Sequence, residues 1–181
     1  MIAQVEDAIV AAIQSRVSGL DVWSHASKDV DELLDTLVRR APACTVVFVD
    51  SEWQRASSRG FKRVARFQVI LVAESLRSER ASRHGEGSET GAYAFIEAIE
   101  LALIGQTLAL EIDPISPQRT ANLYAGANAD RGLAIYGLEF ETGWGFMPRE
   151  DDGADLLEIE GRYTLQPAAS AAGNDLITVE E

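Results

Sequence analysis

The sequence predicts an α+β domain: a mostly antiparallel four-stranded sheet with helices packed on one face, followed by a C-terminal extension with short strands. Three observations predict it. Apolar residues recur at helical spacing in three segments, while four others run or alternate as strands do. Glycine or proline marks several of the boundaries between them. After Phe146 the pattern changes, as acidic and Ala/Ser/Gly-rich stretches replace the apolar periodicity. The 181 residues therefore divide into an α+β domain over 1–146 and an acidic extension over 147–181. Hydrophobic residues make up 46% and charged residues 25%, enough apolar material for a core.

The first helix is predicted from Ile2, Val5, Ile9, Ala12, Ile13 and Val17, with Glu6, Asp7, Gln14 and Arg16 on the other side. Gly19 ends it. A helix so close to the N-terminus persists only if its stripe docks, here on a sheet. Asp29-Val-Asp-Glu32 resembles a capping box, and Val30, Leu33, Leu34, Leu37 and Val38 form the second stripe. Arg39 and Arg40 suit its C-terminal end, and Pro42 stops it. Ala43 to Val49 is the first strand. Phe61 to Ser75 is the longest, with Ala65, Phe67, Val69, Leu71 and Ala73 on one face. Its other face, Val64, Arg66, Gln68, Ile70 and Val72, begins polar and ends apolar, so it leaves solvent partway along.

Leu76 to Thr90 holds no large apolar side chain after Leu76 and reads as a long polar loop. Gly91 to Ile104 is the third helix, apolar around most of its circumference. Leu108 through Asn122 forms a strand interrupted at Pro114 and Pro117, and Leu133 to Thr142 a half-buried strand. In the extension, Leu156–Leu165 and Asp175–Val179 read as short strands joined by a linker. Too small to fold alone, they add to the main sheet or reach another subunit.

Catalytic chemistry is not indicated. Cys44 lies in an apolar run and packs as a small hydrophobe. His25 and His84 have no His or Cys at ligand spacing. No nucleophile elbow, phosphate-binding glycine loop or zinc-protease motif occurs. Glu97 and Glu100 share a helix face, where two acids serve solubility more often than a metal. No catalytic residue, cofactor or metal is expected. No apolar run approaches the ~18 residues of a membrane span, and Glu6 and Asp7 break any signal-peptide pattern. The expectation is a soluble protein made in the cytoplasm, with no membrane partner.

Charge is uneven along the chain. The net charge is −13, yet residues 52–83 carry eight bases against three acids, while 150–181 carry nine acids against Arg162. Such asymmetry is either solvated surface, the commoner case, or a means of steering an identical neighbour into head-to-tail contact, positive to negative. The candidate contact residues are Arg63 and Arg66 in the basic strand, Arg77, Arg80, Arg83 and His84 in the polar loop, and Trp144 and Phe146 between glycines. The two aromatics either close the end of the core or anchor a neighbour. The acidic balance speaks against sequence-specific nucleic-acid binding, leaving room for a non-specific contact with DNA.

Several segments together resemble a known family. Met1-Ile-Ala-Gln-Val-Glu-Asp-Ala-Ile9, the Pro42-Ala-Cys-Thr-Val-Val47 strand and Phe67-Gln-Val-Ile-Leu-Val-Ala73 are similar to tail terminator proteins of Mu-like bacteriophages and prophages. So are the arginine-rich loop, Gly91-Ala-Tyr-Ala-Phe-Ile-Glu97 and Leu103-Ile-Gly-Gln106. The resemblance spans roughly residues 1–142 and rests on core and turn positions rather than a catalytic signature. It implies a hexameric ring that caps the completed tail tube, contacts tube and sheath protein, and joins the head–tail connector in the virion neck. It also implies assembly in the bacterial host cytoplasm and DNA passing through the lumen. The alternative is another neck, head-completion or baseplate adaptor protein.

Overall fold

The computed structural model describes residues 1–24, 30–58, 60–74, 79–85, 90–123, 133–147, 158–164 and 172–178. The capping-box residue Asp29, His25, Arg59 and Arg77 lie outside them, as do residues 148–157 and the linker 165–171. Two compact units form, Met1–Met147 and Pro148–Glu181. The first contains α1 (Ile2–Arg16), β1 (Asp21–Ser24), α2 (Val30–Arg40), β2 (Ala43–Arg55) and β3 (Phe61–Glu74). It continues with α3 (Glu79–His84), α4 (Ala92–Leu103), β4 (Ser116–Asn122) and β5 (Leu133–Phe146). In the second unit, β6 (Glu158–Thr164) and β7 (Ala172–Thr178) pair antiparallel with each other in a sheet of their own.

The main sheet has five strands in the order β1-β2-β3-β5-β4. It is mixed rather than four-stranded and mostly antiparallel as predicted, because β1 pairs parallel to β2 at one edge. The other three pairings are antiparallel. β1 escaped the sequence reading because four residues with one buried side chain, Val22, carry no readable period.

The odd-numbered residues of β3 and the even-numbered residues of β5 line the main core, from Ala65 and Phe67 to Tyr136, Leu138 and Phe140. Val5, Ile9 and Ile13 of α1 and Phe95, Ile99 and Leu103 of α4 cover them. The prediction that all helices share one face is corrected by α2. Leu33 and Leu37 pack on the opposite face, against Ala43, Val72, Leu133 and Ile135. This is where the second face of β3 turns apolar, so a short helix suffices to cover it. The rest of that face stays partly open, as the shift from Arg66 to Val72 predicts.

The predicted strand at Leu108 is also corrected. Leu108 and Ala109 adopt φ values of 53° and 57°, the left-handed region that strand residues do not visit. The segment is instead a loop folded on itself and tied to the sheet. Gly105 N–H donates to Ile115 O (2.8 Å), Ile115 N–H to Gln106 O (2.9 Å), and Asp113 N–H to Gly143 O (2.7 Å). Only beyond it does β4 begin, an edge strand that tolerates Pro117 beside a register shift.

Candidate interaction surface

β2 is longer than predicted because it continues past Val49 paired with β3, whose other edge is paired with β5; this end of the sheet is called the ribbon tip. A bulge between Phe48 and Asp50 changes its phase. Before it, even-numbered residues (Cys44, Val46, Phe48) face the main core; after it, odd-numbered ones do, opposite Ala65, Arg63 and Phe61. One extra residue, the half-exposed Val49, thus moves Trp53 to the helix-covered side of the sheet. It stays half-exposed there.

At the ribbon tip the rows Trp53–Arg63–Trp144 and Arg55–Phe61–Phe146 run across three strands. Trp144 is 7% exposed and belongs to the core, whereas Trp53 and Phe146 are each 51% exposed. Their rings meet edge to face at 5.6 Å, a favourable aromatic geometry. The Arg63 guanidinium lies over Trp53, 4.6 Å from the ring centroid. Its Nε is shielded from solvent and has no hydrogen-bond partner among the described residues. The turn is closed locally: Gly60 N–H donates to Ser57 Oγ (2.7 Å), and Arg55 donates to the carbonyls of Ser57 and Ser58.

The other cations of the ribbon point to the opposite face and are neutralised. Arg66 makes a bidentate pair with Asp50 (2.7 and 2.5 Å). That hydrogen-bonded carboxylate, helped by Glu52 and Glu139, holds the guanidinium above its ordinary value. Lys62 pairs with Asp113 at 2.6 Å, above Gly143, where a Cβ would collide with both side chains.

The candidate residues of the polar loop lie elsewhere. α3 places Arg80 and His84 at the surface and Arg83 half-buried, and Arg77 is outside the described residues. The His84 ring stands edge-on to Tyr93 at 5.0 Å, and Tyr93 in turn meets Tyr136 at 5.8 Å. Tyr136 and Trp144 are eight residues apart on β5, about 26 Å at strand rise. The candidates therefore form two groups, a ribbon-tip group with Arg63, Trp144 and Phe146 and an α3 group. Arg66 belongs to neither, because it faces the other side. The predicted all-loop stretch also contains a helix. Gly91 is buried so tightly against it that a Cβ would strike the Gly85 backbone nitrogen and come 2.5 Å from Arg83 O.

Trp53 was missed as a contact residue. Its only signal was an aromatic inside a polar, basic stretch, and its face depends on a bulge that periodicity does not reveal. Cys44 is fully buried, and burial, with Asp21 nearby, pushes its thiol up to about 12. It is not a poised nucleophile. Among the described residues no group of three or more His, Cys, Asp or Glu is placed to hold a metal ion. Nor is any described helix long and apolar enough to cross a membrane.

The α+β unit thus leaves Trp53, Phe61 and Phe146 exposed at one end, around Arg63. The family model described as Bacteriophage Mu, Gp37 matches residues 1–145, and the chain belongs to that family of Mu-like phage proteins. No curated protein matches the chain.

Proposed function

We propose that this protein is a non-catalytic structural component of the phage particle, a ring-forming tail terminator of about six copies. It caps the completed tail tube, meets the sheath where the tail has one, and joins the head–tail connector in the virion neck. The observation that carries this reading is the ribbon tip, where Trp53, Phe61 and Phe146 stay at the surface around Arg63. Large apolar side chains clustered in solvent mark interaction sites, and tryptophan and arginine are the side chains favoured at their centres. Membership of a Mu phage family supplies the setting. In sequence, residues 52–83 are net basic and residues 150–181 net acidic, the kind of unlike pair that a closed ring of head-to-tail contacts uses. DNA in the lumen would meet such a ring without sequence readout.

Electron microscopy of intact particles, with the chain located by a bound antibody fragment, tests the reading. Density as a ring at the junction of tail and head is the expected result. A position at the baseplate would make the chain an adaptor instead, and absence from the particle would remove the structural reading altogether.

A further inference from the structure

The flank of α4 carries a second outward-facing apolar site. α4 buries Phe95, Ile96, Ile99 and Leu103, yet Leu101 is 82% exposed and Ile104 also reaches solvent. With Glu97 and Glu100 they line an open hollow of about 460 Å³. Glu100 is steadied by Thr120 of the edge strand β4, whose hydroxyl donates to it at 3.2 Å. This site is aliphatic and acidic. The ribbon tip is aromatic and, through Arg63, cationic. Each has what the other lacks.

We propose that the two surfaces are the two halves of one head-to-tail contact: the ribbon tip of one copy seats on the α4 flank of the next. Trp53 and Phe146 enter the hollow over Leu101 and Ile104, and Arg63 meets Glu97. The contact is heterologous, and its repetition about an axis gives a ring where the rotation closes; the inference rests on the ring reading above. Nucleic acid is the poorer occupant of the tip. Lys62 and Arg66 are tied to Asp113 and Asp50 on the other face, and Arg55 is engaged with its own turn. Arg63 is left as the one described ribbon cation on the aromatic side that is committed to neither a carboxylate nor the turn. A phosphate backbone needs several such charges, whereas a single carboxylate matches one.

The test is charge reversal with rescue, read by native mass spectrometry of the full chain over a concentration series. Arg63→Glu is expected to raise the concentration at which the assembly forms by about tenfold or more, since like charges then face each other. Glu97→Arg does the same alone, and the two substitutions together restore assembly. Trp53→Ala and Leu101→Ala weaken assembly while circular dichroism shows the fold retained. Multimers that form equally well in every variant would overturn this contact and leave the ring standing. A wild-type chain that stays a single copy at all concentrations and in particle extracts would overturn the ring as well. Duplex DNA retained by wild type and lost in Trp53→Ala would reassign the tip to nucleic acid and end the proposal.

Discussion

The β2–β3 ribbon is two different materials along one length. At its base, Cys44, Val46, Phe67, Val69 and Leu71 are sealed beneath α1 and α4, while α2 closes the other face over Ala43 and Val72. At its tip the same backbone pairing continues from Asp50–Arg66 to Arg55–Phe61, but apart from the buried Ala65 the side chains there are half-exposed or exposed. Hydrogen-bond register is therefore not what distinguishes the ends. What differs is coverage, and coverage follows the helix stripes. A pleated strand presents two faces everywhere, and only a docked apolar stripe turns one of them into core. The tip keeps large aromatics without that cover: Trp53 and Phe146 pack on each other and Trp53 on Arg63, yet both rings stay half in solvent.

Substitution at the base gives the largest expected effect. Phe67→Ala removes a ring that is 1% exposed and packed edge to face on Phe48 at 5.7 Å. It is expected to cost about 3–5 kcal/mol, read as a lower denaturation midpoint of the purified chain. A loss below about 1 kcal/mol would mean that base and tip are equally loose. Cys44 probes the same region by pH. Its thiol is held near 12 in the fold, against about 8.5 in an unfolded chain. The raised value means that stability is unaffected below about pH 8.5 and falls as pH climbs towards 12, by on the order of 5 kcal/mol in all. Cys44→Ala is expected to flatten that alkaline loss. Iodoacetamide should leave the native thiol unmodified and label it after unfolding.

How much of this was legible in the sequence follows from the same contrast. The alternation of Ala65, Phe67, Val69, Leu71 and Ala73, and of Ala134 to Thr142, placed the covered face correctly because both runs are regular and fully buried on one side. The fade from Arg66 to Val72 even located the edge of the second cover. It did not show that the cover is α2, because a helix stripe reveals that it docks and not on which face. β1 was too short to show a period, and α3 is polar enough to read as loop. At the candidate site, the phase of Trp53 turns on a bulge at Val49, a backbone irregularity with no residue signature. The aromatics Trp144 and Phe146 were found as a pair, yet two residues along β5 divide core from surface.

A middle-sized effect tests whether α3 belongs to the covered part of the molecule. Gly91→Ala puts a methyl group against the backbone of Arg83 and Gly85, which is not a flexible side chain that could move aside. Overpacking of this kind costs about 1–3 kcal/mol. Hydrogen exchange in 79–85 should rise with it. Unchanged exchange there would mean that α3 is held by its ring stack on Tyr93 rather than by the tight passage at Gly91.

The smallest effect is expected on the open face, and it bears on what covers that face in an assembled particle. The Asp50–Arg66 pair has bidentate geometry, yet its two side chains are 45% and 43% exposed. Water screens such a pair, and ordering two polar side chains offsets most of the attraction. In the dilute single chain, Arg66→Gln should therefore barely move the melting temperature, and added salt should remove what difference remains. The same substitution acts differently if a second copy overlies this face. The pair would then be desolvated, and deleting one partner would leave Asp50 buried without its counter-charge, which is strongly destabilising. A melting difference that is negligible in dilute protein but grows with concentration would thus mark the open face as a second subunit contact. A difference that stays negligible at every concentration would leave the ribbon tip and the α4 flank to carry assembly.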